Sequence, residues 1–426
     1  MVDAHVGGVR VIDLRADGDV LVGMIQGHPT GGDQDLVLTI DGSEHVFANV
    51  VPYREAPSDL FPMVFMGASV SHGAQAGVPH RRSSLHSIAT YVGRGLDVHI
   101  PAALLVEDLF PQIQPSDMGP APMCVVPNPF TWAVGSLTDA LNRMQGDSGT
   151  DMRLARVDPD IVAHVIAVPG VTLNEQIVAP EGFGERLMSH LIFDLDGSPA
   201  DPVDAQLDRI KTMNAKVILA PDTLGNDVIE SVAGEFLEPD EVRSAATLAD
   251  DLDRLYAGLS DTGAHVFVGE APNPLALPMA ADAARRMRLA GHSEEDVAAA
   301  ELRISQRVDD INVLVHEVAD KYDNVHVFEL RQHIDDAWHD GVQVSSGVMT
   351  TAKGGGLVSL DGLHFSDLGY AVVAKHLLHQ LERDLGAEIV HNVDLDAVAQ
   401  QDPYSPSALK ASGFDASLCS NATPRE

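Results

Sequence analysis

The chain is short of lysine, of cysteine and of any long uninterrupted apolar run. Only six lysines (Lys211, Lys216, Lys321, Lys353, Lys375 and Lys410) stand among 27 basic residues against 63 Asp and Glu, giving a formal charge of −36 over 426 residues. Nucleic-acid affinity rests on Lys and Arg displacing counterions from phosphates, so this balance argues against nucleic acid or an anionic bilayer as partner. An acid-rich, lysine-poor surface stays hydrated in high salt, so tolerance of a saline milieu is expected. Cys124 and Cys419 are too few and too far apart for a disulfide framework or a zinc site. A long uncharged stretch, residues 118–138, is broken by Pro120, Pro122, Pro127 and Pro129, so no transmembrane helix is expected.

The opening VDAHVGGVRV has neither a basic n-region nor an apolar h-region, so no export signal is expected in the chain as given. That places the protein in the cytoplasm if Met1 is native, and outside it or in the periplasm if a signal was removed. What is present is the composition of a folded protein: 45% hydrophobic residues, mean hydropathy +0.02 and dispersed charge.

Residues 1–58 hold short β-like runs (VRVIDL, VLVGMIQ, DLVLTI, HVFANVV) between Gly, Asp and Pro turns and predict a small β-rich N-terminal appendage. From Phe61 onward, short apolar runs are each closed by Gly, Pro or Asn and followed by helical periodicity. PMVFMG, HVIAVPG, KVILAPD, HVFVGEAPN and NVHVFEL predict five strands of a mostly parallel α/β sheet covered on both faces. Helices are expected where Leu85, Ile88 and Val92 repeat after Ser83-Ser84, and where Ile304, Val308, Ile311, Val315 and Val318 follow Ser293-Glu294-Glu295. A third apolar face, Tyr370, Val373, Ala374, Leu377, Leu378 and Leu381, opens after Ser366. The α/β domain is expected over residues 59–394, and 395–426 reads as a polar tail with little structure.

In open α/β sheets ligands sit beyond the carboxyl ends of the strands, so the residues just after each run are the informative ones. Gly67-Ala68-Ser69-Val70-Ser71-His72-Gly73 follows the first run, Pro169-Gly170 the second and Leu224-Gly225-Asn226-Asp227 the third. Past the fifth, Ser359-Leu360-Asp361-Gly362-Leu363-His364 leads into the last helix. A serine nucleophile needs a base, the base needs a partner that fixes its tautomer, and the oxyanion needs pre-placed donors. Ser69 is the candidate nucleophile, His364 the base and Asp361 its orienting acid. The Ser69 N–H, the Gly170 N–H and the Asn226 amide are the candidate oxyanion donors.

At these positions the sequence resembles the SGNH or GDSL-type hydrolases, whose four blocks are marked by Ser, Gly, Asn and His. The blocks match Gly67-Ala68-Ser69-Val70-Ser71, Ala167-Val168-Pro169-Gly170, Gly225-Asn226-Asp227 and Asp361-Gly362-Leu363-His364, in the family's order. The resemblance implies a flavodoxin-like three-layer α/β/α sandwich that hydrolyses carboxylic esters without a cofactor or metal, on a small-molecule or lipid ester. It departs from the family at Ala68, where an acidic residue usually precedes the nucleophile, and in the long spacings from Ser69 to Gly170 and from Asn226 to His364.

Each residue alone has a bland reading as a turn or surface group; the four blocks in order at strand ends carry the expectation of a serine esterase or lipase, lysophospholipase-like activity included. A carbohydrate O-acetyl esterase on the same triad is the alternative, disfavoured by only two Trp and six Tyr. A non-catalytic binding protein is the third, disfavoured by a complete triad. Residues 118–138 together with the apolar run 100–106 are expected to wall an acyl site. Gly146-Asp147-Ser148-Gly149, which copies a protease motif, reads as a loop. His333, Asp335, Asp336, His339 and Asp340 read as the solvated end of a helix rather than a metal site, His376 and His379 as structural, and Gly354-Gly355-Gly356 as a flexible link before the catalytic loop.

Overall fold

The computed structural model describes residues 2–17, 20–24, 32–53, 55–106, 109–118, 140–142, 144–146, 149–194, 201–229 and 245–416. Cys124, Cys419, Asp147, Ser148 and residues 119–138 of the proline-rich stretch lie outside them.

The N-terminal runs form Val2–Val6 (β1), Val9–Arg10 (β2), Ile12–Asp17 (β3), Val20–Met24 (β4), Gly32–Ile40 (β5) and Ser43–Tyr53 (β6). β2, β1, β5 and β6 make an antiparallel sheet in that order, and β3 and β4 a hairpin.

The main sheet is parallel and four-stranded. Met63–Gly67 (β7), Val217–Asp222 (β8), His265–Gly269 (β9) and Val325–Phe328 (β10) lie in the order β10-β9-β8-β7. β7 and β8 are fully buried along their length, which is why they read as unbroken apolar runs rather than alternating ones. Alternate residues serve opposite faces. Met63, Phe65, Val217, Leu219 and Phe267 pack with Ile88–Leu96 (α2) and Asp367–Leu385 (α7). Val64, Met66, Ile218, Ala220, Val266 and Val268 pack with Gln206–Lys211 (α3), Ala245–Ser260 (α4) and Glu294–Ala319 (α5).

Five expectations change. The run HVIAVPG lies beside β7 but meets it at one ladder position, Phe65 with Val165. Ile166 donates to Phe65 O at 2.8 Å, whereas the His164 and Val165 amides turn to Pro101 O at 2.7 and 3.0 Å. Phe65 N–H also reaches His164 O at 2.9 Å and Val168 N–H reaches Gly67 O at 3.0 Å, so the run follows the edge of β7 through alternate residues while the sheet itself counts four strands.

The cap of α2 is Ser87, which accepts from Thr90 N–H; Ser83-Ser84 instead end a short helix, Arg81–Ser84, capped by His80. The triple glycine is a tight turn: Gly355 donates to Ala352 O at 2.7 Å, and a Cβ on Gly354 (φ +67°) would fall 2.4 Å from Ala416 Cβ. Residues 395–416 are not an unstructured tail. They form Leu395–Gln401 (α8) and Pro406–Ala411 (α9), and Tyr404, Leu409 and Phe414 bury against Ile113 and Leu360. Each such side chain contributes about 1.5–3 kcal/mol of apolar burial, enough to hold a segment whose overall composition is polar.

The run 100–106 is core: Ile100 packs with Phe65 and Val165, while Ala103 and Leu105 pack with Val168 and Leu187. It offers no free acyl wall. No described helix is long and apolar enough to cross a membrane.

Candidate active site

Ser69 opens a four-residue helix, Ser69–His72 (α1), directly after β7. The chain reaches it through Gly67 at φ +122°, where a Cβ would stand 2.6 Å from Asp222 O and 2.7 Å from Ser71 Oγ, so only glycine fits this corner. Gln206 of α3 brackets the same peptide, accepting from Gly67 N–H at 3.0 Å and donating to Gly67 O at 2.9 Å. As the first helical residue, Ser69 has an N–H with no intrahelical acceptor. Its side chain is buried to all but a sliver, at 8% exposure.

Asp361 and His364 meet. His364 Nδ1 donates to Asp361 Oδ2 at 2.6 Å. Gly77 N–H joins the same oxygen at 2.6 Å, and Oδ1 takes Ser359 Oγ–H (3.0 Å) and the N–H groups of Leu363 and His364 (both 2.9 Å). This carboxylate has no solvent exposure. Burial pushes its carboxyl up, but the His364 charge and hydrogen bond and the two loop amides outweigh it, so it is held below its ordinary value. With Nδ1 donating, neutral His364 presents Nε2 as an acceptor; that atom is buried and has no hydrogen-bond partner among the described residues. No hydrogen bond joins it to Ser69 Oγ among the described residues; such bonds often tighten only when substrate binds.

The loop after α1 carries Gly77 to Asp361. Ala76 N–H also donates to Ser359 Oγ at 3.0 Å, and Tyr370 of α7 donates its hydroxyl to Ala74 O at 2.5 Å. Sequence reasoning placed Tyr370 only on the apolar face of the last helix and did not name Gly77: no local signal links residues nearly three hundred positions apart. Ser359 stood in the quoted loop without a role.

Asn226 lies at the start of the turn of helix after β8 and donates Nδ2 to Val171 O at 2.7 Å, which ties it to the Gly170 turn. Val168-Pro169-Gly170-Val171 has Pro at the second position and Gly at φ +95° at the third, the chemistry of a type II turn. Gly170 itself is exposed, and a Cβ there would lie 3.3 Å from Glu185 Oε1. A carboxylate thus stands beside this candidate donor, where it opposes an oxyanion.

Other nearby groups do not compete as bases. His72 is fully buried, donates Nδ1 to Ala167 O at 3.0 Å and is pushed down to about 4, by burial first. Gly146 and Gly149 of the protease-like motif belong to a two-residue hairpin, Gln145–Gly146 with Gly149–Thr150. Among the described residues no group of three His, Cys, Asp or Glu is arranged to hold a metal. His333 turns inward and stacks on His376, with ring centroids 3.7 Å apart.

Asp222, at the end of β8, is buried, and burial raises its carboxyl from 3.8 to about 7 against the pull of the Val70 amide, of His364 and of the Ser71 and Gly225 amides. A raised acid favours folding below its unfolded value and loses that contribution as pH rises through its folded one. Asp222→Asn removes this term. The difference in Tm, variant minus wild type, is therefore expected to climb between about pH 4 and pH 7 and to level off above that in a thermal-denaturation series; a flat difference across that window contradicts the shift.

No protein-family model matches the chain, and no curated protein matches it.

Proposed function

We propose that the chain is a serine hydrolase of carboxylic esters of the SGNH/GDSL type. The observation that carries this reading is the Asp361–His364 pair: a buried carboxylate with five donors fixes Nδ1, leaving Nε2 as a buried acceptor without a partner among the described residues. Asp222 bonds the Val70 amide beside Ser69 and also feels the His364 charge, so it brackets the two ends of the reaction path. Ser69 Oγ attacks the acyl carbon while His364 Nε2 takes its proton. As the carbon–oxygen bond to the alcohol breaks, that proton passes to the leaving oxygen. Water then repeats the sequence on the acyl-enzyme. The Ser69 N–H and Asn226 Nδ2 bind the oxyanion, with Gly170 N–H as third donor, each contributing about 3 kcal/mol when aligned.

The fold supports this reading. Counting residues 164–168 as the second strand, the order becomes 2-1-3-4-5, that of a flavodoxin-like sheet, and the helices packed on its two faces make three layers. Ser69 and Asn226 then follow strands 1 and 3, which flank the point where strand order reverses, the usual place for a ligand in such sheets. A charge of −36 suits a neutral ester, small-molecule or lipid, better than a strongly anionic one. A fluorophosphonate is expected to form one covalent adduct, mapped by mass spectrometry to Ser69, with parallel loss of p-nitrophenyl butyrate turnover. An adduct elsewhere, or full labelling with activity retained, refutes the assignment.

A further inference from the structure

We propose that Asp222 caps the nucleophile helix from a neighbouring strand and is a positioning residue that holds Ser69 and Asn226 in one frame. This role rests on the reading of Ser69 as nucleophile.

A helix start needs an acceptor for the amides of its second and third residues, normally the N-cap side chain. In α1 those amides belong to Val70 and Ser71, and the N-cap is Ala68, which makes no side-chain capping bond. Asp222 supplies the missing acceptor. Its Oδ2 takes Val70 N–H at 2.9 Å, its carboxylate also feels the pull of the Ser71 amide, and its backbone carbonyl takes Ala68 N–H at 2.9 Å.

The same carboxylate lies against Gly225, the residue just before Asn226: a Cβ there would fall 2.0 Å from Oδ1, and the Gly225 amide pulls the Asp222 carboxyl down. One side chain thus ties the turn that presents the nucleophile to the turn that presents an oxyanion donor.

The backbone is shaped for this. β8 pairs with β7 in regular register at Leu219 with Phe65, then slips so that Asp222, not Pro221, stands opposite Gly67. A slip of one residue moves a side chain to the other face of a strand, and bulges of this kind re-aim side chains beside sites. The space is cleared by two glycines. A Cβ on Gly67 would lie 2.6 Å from Asp222 O, and one on Gly225 2.0 Å from Asp222 Oδ1. A buried carboxylate whose neighbours are mainly backbone amides is costly to keep, and misplacing a reacting group by an ångström costs about 10²-fold in rate.

The test uses the full chain as wild type, Asp222→Asn, Ala68→Asp and the double Ala68→Asp/Asp222→Asn, with kcat and KM on p-nitrophenyl butyrate, Tm and fluorophosphonate labelling. Asp222→Asn should lower kcat about 10- to 100-fold with KM within about threefold. The double variant should regain at least about tenfold of that loss, because an aspartate at the N-cap bonds the same two amides from within the helix. Ala68→Asp alone should not exceed the wild-type rate. A folded Asp222→Asn with wild-type kcat overturns the proposal, as does a double variant that regains Tm but not kcat. If Asp222→Asn does not fold, the double decides: folded and active supports the role, unfolded or inactive overturns it. Absence of labelling at Ser69 in the wild type overturns the esterase reading and this role with it, whereas normal labelling with unchanged kcat in Asp222→Asn overturns this role alone.

Discussion

Ser69→Ala is expected to lower kcat for p-nitrophenyl butyrate by at least about 10³-fold while moving Tm by no more than a few degrees. The two halves come from different features of the same residue. Chemically, the proposed acyl-enzyme forms on the Ser69 hydroxyl, the other hydroxyl of α1, on Ser71, having no solvent exposure, and losing Ser69 Oγ leaves water activated by His364 with the oxyanion donors, a slow route. Structurally, α1 is anchored by backbone groups that the substitution keeps: the Ala68 and Val70 amides on Asp222, and the Gly73 amide on Ser69 O at 3.0 Å. Steady-state kinetics and a thermal melt check both. Retention of more than about a tenth of the wild-type rate refutes Ser69 as nucleophile.

Asp361→Asn is expected to cost about 10³- to 10⁴-fold in kcat and, unlike Ser69→Ala, to lower Tm by several degrees. Asparagine keeps the shape but replaces one oxygen by a donor. In one orientation its NH2 confronts Gly77 N–H and His364 Nδ1–H; in the other it confronts Ser359 Oγ–H and the Leu363 and His364 amides. Each buried donor left without an acceptor costs about 1–3 kcal/mol. With the first orientation the imidazole is driven to the tautomer that carries its proton on Nε2, where the base must be empty. Kinetics per folded protein, with folding followed by circular dichroism, separates the two losses. A variant with wild-type kcat removes Asp361 from the mechanism.

Much of this was legible along the chain. The runs at Met63 and Val217 announced strands because both faces of each are buried, so burial left a continuous apolar signature; those at His265 and Val325 carry a histidine where the strand is exposed or half-buried and are otherwise apolar. Ser366 and Ser293 announced α7 and α5 because their side chains cap those helices within three residues. The Asp361–His364 contact was readable for the same reason: three positions apart on one loop, the two side chains have little freedom to miss each other. Where contacts are distant, the signal vanished. Residues 395–416 looked like a tail because only Asp402, Tyr404, Leu409 and Phe414 and a few neighbours are buried there, too few to colour the composition. HVIAVPG looked like the other strands because apolar content records burial, not which neighbour the amides choose.

The sequence by itself determined the chemical inventory and its order: a serine, a glycine, an asparagine and an Asp–His pair, each placed after an apolar run, in a chain of formal charge −36. Which groups share a hydrogen bond across the sheet was decided by tertiary structure alone. Gly77 reaches Asp361 across 284 residues of chain, and Asp222 reaches Val70 across 152. Such contacts form only when packing has brought the strand ends together, and a one-residue slip in β8 settles which side chain stands under α1. Local periodicity carries information over a turn or two of helix or strand; register and loop closure are collective properties of the packed core, written in no single stretch of residues.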